Sequence, residues 1–493
     1  MNRQASAAPW APSAETSFAH SRRWLGLMVM LAGAFMAIMD VFIVNIALPS
    51  IRDDLHASFA ELEFVVAGYT LTYAVALITG GRMGDRFGHC RMLMIGLAAF
   101  TAASALCGIA PTPRLLVAAR LLQGLTAAIM FPQVLSLMRL AFTDVRERAS
   151  AFAMFGGVQG LAAVVGQILG GLIVDADLFG LVWRPVFLLN VPIGIAAVLA
   201  APRLIGESRS PTAARLDLPG VALSAVGALL LYPLVEGRDA GWPMWTLALL
   251  AASLPALAVF AAHQYRKSQR RDSPLLDTRL FLNRAVAVGS LAALVLYTAL
   301  NSFYVFLAFL LQAGLKSSPF AAGLLITPLA LAYVAASFVA GRLGPRASRR
   351  VLLVGGIVLT LAYTVAAATT WHAADLRGVD LVPVLGMIGV GQGLLITPLI
   401  NLILSNVSLD DAGAASGLVS TMQQVGGALG VAIVGILFFG ALDVAGPAPG
   451  AQAYAGAFTV ALIYEMAAAA AVTVLLIGLP APVSAERINK SSP

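Results

Sequence analysis

Apolar runs of about 20 residues follow one another along almost the whole chain, separated by short polar joints. A helix needs about 20 such residues to cross a ~30 Å hydrocarbon core. The runs predict membrane-spanning helices at 24–48, 64–82, 91–109, 114–138, 149–173, 185–202, 218–235, 242–265, 285–311, 319–340, 351–370, 381–404, 412–439 and 455–479. The longest polar stretch between runs is 266–284, and polar tails occupy 1–23 and 480–493.

The cations follow the joints. Taking alternate joints as one side, 24 of the 31 Lys and Arg fall with the N-terminus and six on the other side, while Arg120 lies inside a run. Excess Lys and Arg in the cytoplasmic loops sets the orientation of a membrane protein. Fourteen spans with both termini cytoplasmic are therefore expected. The net charge of +7 belongs to this bias and gives no reason to expect a nucleic-acid partner.

Composition agrees. Of 493 residues, 59% are hydrophobic and 11% charged, against about 25% charged in soluble domains. A chain so poor in charge has too little polar surface to fold as soluble domains, and two cysteines cannot make a disulfide scaffold.

The two halves echo each other. Gly81-Arg82-Met83-Gly84-Asp85-Arg86 recurs as Gly341-Arg342-Leu343-Gly344-Pro345-Arg346, each after the second span of a six-span set. The expected architecture is an all-α polytopic membrane protein with a disordered cytoplasmic tail at 1–23 and a six-helix bundle at 24–203. A linker at 204–284 carries two inserted helices and a cytoplasmic loop. A second bundle occupies 285–479 and a cytoplasmic tail 480–493. Parallel repeats with a central site are a known transporter plan.

Three charged residues fall well inside spans: Asp40, Arg120 and Glu465. Ionisable groups at the bilayer centre are costly and mark functional paths by default, although an internal salt bridge or a hydrogen-bonded acid has the same composition. If the first and fourth spans face each other, Asp40 and Arg120 form a pair that can take up and release a proton. The turn Gly81, Asp85, Arg86, Gly88, Arg91 combines glycines that permit a tight joint with an Asp able to cap the next helix. Arg120 and Gln123 share a helix face. Small residues and Gln167 form a stripe with Gly166, Gly170 and Gly171, suited to close helix packing. Polar or aromatic groups at depth are candidates to line a cavity: Met36, Asn45, Tyr69, Gln123, Phe131, Gln159, Asn301, Phe303, Tyr304, Phe306 and Gln392. The dispersed histidines offer no metal cluster, no catalytic set assembles, and no cofactor is expected.

These residues resemble a known family. Met39-Asp40-Val41-Phe42-Ile43-Val44-Asn45-Ile46-Ala47-Leu48-Pro49, the 81–91 turn, Arg120-Leu121-Leu122-Gln123-Gly124, Trp183-Arg184-Pro185 through Asn190-Val191-Pro192, and Gln312-Ala313-Gly314 resemble elements of the fourteen-span drug:proton antiporters of the major facilitator superfamily. The resemblance implies two bundles that rock about a central site, proton transfer involving Arg120, and gating by the 81–91 turn. Two departures stand out. Gln167 occupies the position of a proline usual in the fifth-span element, and Pro345 stands where the first half has Asp85.

The function expected is proton-coupled export of small amphipathic molecules by alternating access, in the bacterial inner membrane. The expected partners are the substrate, protons and lipid; on a periplasmic adaptor the sequence is silent. No ATP-binding motif is present, so an ion gradient supplies the energy. A proton symporter for a nutrient is the alternative. A receptor or scaffold would want a larger soluble portion than the short tails and central loop supply.

Overall fold

The computed structural model describes residues 20–209, 216–229, 232–270, 272–372, 375–407, 412–446 and 449–478. The described residues form helices and no strand: α1 His20–Leu55, α2 Phe59–Phe87, α3 His89–Gly108, α4 Pro113–Ala141, α5 Val145–Ala176, α6 Arg184–Leu188, α7 Asn190–Leu204 and α8 Leu218–Leu229. There follow α9 Pro233–Asp239, α10 Met244–Arg270, α11 Arg284–Phe309, α12 Pro319–Arg342, α13 Gly344–His372, α14 Val382–Ser405, α15 Ala412–Val444 and α16 Ala451–Ile477. Most of the tails and the joint at 408–411 lie outside the described residues.

Thirteen helical stretches are long and apolar enough to cross a membrane among the described residues. Many run beyond the expected bounds because the apolar pattern marks only the hydrocarbon core, while the helix continues into polar surroundings. Within the expected span at 218–235 the described residues form α8, of 12 residues, and α9, of 7. Pro233 stands in the first turn of α9, where its missing N–H costs nothing.

The helix ends are set by local chemistry. Ser58 and Glu61 form a reciprocal capping box at the start of α2. Asp144, Asn283 and Ser318 cap α5, α11 and α12. Within the first half α2 packs on α4, α3 on α4, and α1 on α5 and α7. Within the second, α11 packs on α15, α12 on α14, and α13 on α14 and α16. Across the halves, α5 meets α12 and α2 meets α15. Small residues make these contacts close. A Cβ on Gly124 would stand 2.2 Å from the Tyr69 carbonyl oxygen, and one on Gly393 2.5 Å from that of Tyr333, so both places require glycine.

The two ends of the molecule differ. At the near end, where α1 begins, a separate apolar cluster is confined to helices of the first half. At the far end, where α1 meets α2, one cluster unites both halves. There Phe59 of α2 stacks on Phe439 of α15 with centroids 3.7 Å apart. Gln312 donates to the Ile46 carbonyl at 2.9 Å, and Ser318 donates to Asp175 at 2.6 Å.

The linker is anchored by a buried carboxylate outside the spans. Asp217 is 0% exposed and sits against His263 Nε2 at 3.1 Å, Gln264 Nε2 at 3.0 Å and Lys267 Nζ at 3.2 Å. Burial alone raises its pKa, but the bonds from His263, Gln264 and Lys267 prevail and hold it at about 2. A depressed native pKa stabilises the fold above the ordinary carboxylate range, and the contribution is lost as pH falls towards 2. Asp217→Asn is expected to lower stability at pH 7 by about 1–3 kcal/mol. In detergent melting curves the gap to the parent protein should narrow as pH falls below about 4; a gap that stays constant down to pH 2 contradicts this account.

Candidate functional site

The main polar cluster lies inside the first half. Asp40 on α1 and Arg120 on α4 are 0% and 1% exposed and form an ion pair through Oδ2 and a terminal guanidinium nitrogen. A charge pair in so dry a place is kept only if its remaining donors and acceptors are met. Here they are. Arg120 Nε donates to the Val65 carbonyl on α2 at 2.8 Å, and its terminal nitrogen donates to Gln123 Oε1 at 2.7 Å. Gln123 Nε2 donates to Asp40 Oδ1 at 2.8 Å and to Ser104 Oγ at 3.2 Å. Asn190 Nδ2 donates to Asp40 Oδ1 at 3.3 Å and to Ser104 Oγ at 3.0 Å. The guanidinium also lies 4.4 Å from the Tyr69 ring centroid, a cation–π contact.

Asn190 lies on the helical stretch Arg184–Leu204, which matches the expected sixth span and of which α6 and α7 are the two parts. Sequence reasoning quoted Asn190 in a motif without giving it a role, and missed Ser104. A polar residue two positions before Pro192 inside an apolar run was the available signal.

A second polar cluster occupies the other half. Glu465 on α16 is 0% exposed, accepts from Ser302 Oγ at 3.3 Å, and leaves Oε2 without a partner. Gln392 on α14 accepts from Tyr304 Oη at 3.1 Å, while its Nε2 and the Tyr363 hydroxyl are buried without partners. The Gln-Gly pairs 123–124 and 392–393 occupy matching places in the two halves, each glycine seated on the carbonyl of a tyrosine. The balance differs: the first cluster contains a cation and the second does not pair its acid with one.

The other expected residues are scattered. Phe131 lies between Tyr73 and Phe155, with centroids 6.4 and 6.0 Å away. Tyr304 meets Phe42 of the first half edge-on at 5.5 Å. Asn45 Oδ1 and Gln167 Oε1 are buried without partners. Gln159 is half-buried, as is Asn301, whose side chain lies against Gly427. Met36 and Phe306 are 0% exposed and Phe303 1%. All three are packed in apolar or aromatic contacts and present no surface to a cavity in this conformation, because bulk at depth also fills the core. Gly166 and Gly170 bring α5 onto the backbone and side chains of α1, and Gly171 brings it onto the α12 backbone.

The 81–91 turn departs from expectation in its cap. Gly88, at φ +105°, joins α2 to α3, a conformation natural to glycine. The amides of Cys90 and Arg91 are capped by Glu207 at 3.1 and 3.0 Å, not by Asp85. Asp85 remains on α2 and faces His89 at 3.4 Å, and His89 Nδ1 is 2.9 Å from Gln133 Oε1. Glu207 comes from a segment 116 residues later in the chain, so local sequence could not reveal it. Arg86 lies over the Phe87 ring, and neither it nor Arg91 makes an ion pair among the described residues. Arg82 donates to the carbonyls of Ser273, at 2.8 Å, and Pro274, tying α2 to the central loop. Gly81 rests against Pro132.

This arrangement has relatives. The chain is 40% identical over 426 residues to a probable actinorhodin transporter of Streptomyces coelicolor, covering 86% of this chain and 74% of that one. It is 33% identical over 428 residues to a tetracenomycin C resistance and export protein of Streptomyces glaucescens, covering 84% and 76%. A bacterial homologue of the lysosomal transporter Spinster, solved inward-facing and unoccupied, superposes with a TM-score of 0.68 at 17% identity, covering 93% of this chain and 98% of that one. The Major Facilitator Superfamily profile matches residues 30–431 and 289–492. With thirteen apolar helices among its described residues and bacterial relatives that point to the inner membrane, this multi-pass chain belongs to the Major Facilitator Superfamily, a family of transporters rather than enzymes.

Proposed function

We propose that this protein exports small amphipathic, drug-like molecules in exchange for protons. The observation that carries the reading is the buried Asp40–Arg120 pair, held by groups from several helices. The names of the relatives, which concern transport, export and resistance, support the direction. In this reading the chain has fourteen spans, counting 218–235 as the seventh, and both termini are cytoplasmic. The cation bias supports that orientation. The near end then faces the cytoplasm and the far end the outside.

A proton arriving on Asp40 cancels the charge that Arg120 opposes. The freed guanidinium keeps its bonds to Val65 on α2 and to Gln123 on its own helix α4, so protonation changes how α1 sits against α2 and α4. The bundles 24–203 and 285–479 rock on this change, and their ends open in turn. Asp85, with His89 and Gln133, latches the cytoplasmic end of α2, with Arg86 and Arg91 on the turn. Glu465 is a second proton-binding group, in the half that offers the substrate Gln392, Tyr304 and Asn301. A ligand pocket needs just such a few polar groups in apolar walls.

Asp40→Asn is expected to insert and fold normally yet lose proton-driven efflux down to the level of vesicles without the protein. Normal efflux by that variant in everted vesicles under a pH gradient would sink the assignment. Arg120→Lys keeps the charge but loses the planar fork, and efflux should fall by about tenfold or more; parental efflux would mean that only the charge matters. Glu465→Gln should lower the ratio of protons to substrate in reconstituted vesicles, and an unchanged ratio removes Glu465 from coupling. Uptake rather than extrusion of substrate by intact cells would favour the symporter reading.

A further inference from the structure

A third buried acid, Glu63, lies where the two halves meet at the far end. It is 5% exposed, on α2, and its Oε2 is buried with no hydrogen-bond partner. Gly435 of α15 lies directly on it: a Cβ there would stand 2.0 Å from Glu63 Oε1, so the missing side chain is what lets the carboxyl sit against α15 in this position. The short helix α9 fastens the same seam from outside. Asp239 accepts from the Ala60 amide of α2 at 3.2 Å, and Arg238 pairs with Asp443 of α15 at 2.9 Å. Arg238 also lies 5.6 Å from the Phe59 ring of α2 and 5.2 Å from the Phe439 ring of α15. A single turn of the inserted segment thus holds both halves.

The charged groups around Glu63 are mostly committed elsewhere. On α2, Glu61 closes the capping box with Ser58. From α1, Arg52 lies over the Phe59 ring at 4.0 Å and Asp54 pairs with Arg184 at 2.8 Å. From α4, Arg120 is held by Asp40, and Arg114, with Glu61 and Glu236, acts on Tyr232. Arg238 and Asp239 of α9 act on Glu63 across space, and each is also bonded to other groups. Asp443 is the titratable residue of α15 at this end, and α8 brings none. An anion buried without a direct partner is costly, so the closed seam suits the neutral acid.

We propose that Glu63 is a proton-binding site of the outer seam: when the seam is open it takes a proton from the outer medium, and only in that form does α15 close over it, clamped by α9. The proton comes from water outside and returns there when the seam reopens, so Glu63 senses outer acidity without carrying charge across. Acid outside would then favour the inward-open form, ready for the next substrate. The proposal rests on the transport reading for which end faces outside, but its test needs no transport.

Spin labels are placed at exposed Asp53 and Val444, one on each half, with buried Cys90 and Cys107 replaced by alanine. Distance distributions are recorded in lipid nanodiscs without substrate at pH 5.5 and 8.5. The parent protein should shift from the short towards the long distance as pH rises. The measurement is repeated in Asp40→Asn, which removes the rocking assigned to that carboxyl; there the shift from short to long distance with rising pH should persist, and Glu63→Gln added to it should keep the short distance at both pH values. Arg238→Gln should lengthen the distance at both pH values yet retain the shift. A shift that is absent in Asp40→Asn, or that survives in the Asp40→Asn/Glu63→Gln double variant, overturns the proton site. An unchanged distance in Arg238→Gln overturns the clamp. Absence of efflux by the parent protein alongside the expected distances would leave the Glu63 seam standing and count against the transport reading alone.

Discussion

A buried charge has to be answered from within the protein, since the hydrocarbon core supplies no water to answer it. Asp40 and Arg120 show how much structure one such answer requires. The pair draws on α1 and α4 directly, and on α2, α3 and α7 through Val65, Ser104 and Asn190. Losing either side chain outright leaves the other charge stranded, which costs several kcal/mol in a buried setting. Asn190 answers the same requirement from the sixth span, where its amide reaches the carboxylate.

The second half answers differently. Glu465 takes one bond from Ser302, and polar atoms of Tyr363 and Gln392 nearby remain unmet. The repeated Gln-Gly pair and its tyrosine carbonyl indicate a shared plan beneath the two clusters. On that plan one half holds an ion pair and the other an acid without a cation. The asymmetry fits a division in which one half is committed to holding charge and the other retains unfilled hydrogen-bonding capacity.

Much of this was legible in the sequence. Apolar runs gave the helical class because length and hydropathy are local properties, and Asp40 and Arg120 stood out because charge inside such runs is rare. Their pairing required the fold. Glu207 capping α3, and Glu63 beneath Gly435, were hidden because each partner lies more than a hundred residues away. Glu63 was also disguised by its place at the edge of an apolar run, where it resembled an ordinary interfacial acid. Met36 and Phe306 illustrate the converse, since a side chain fit to line a cavity is equally fit to fill one.

The glycine contacts have a mechanical consequence. Where Gly124 rests on the Tyr69 carbonyl and Gly393 on that of Tyr333, no side chain separates the two backbones, and a joint without a cushion has little play. Helices joined in this way behave as stiff beams. The α5–α12 seam between the halves is joined the same way, Gly171 on the Pro319 carbonyl and Gly323 on that of Gln167, whereas at the α2–α15 seam Gly435 meets the flexible end of Glu63, so play between the halves is left to the α2–α15 side.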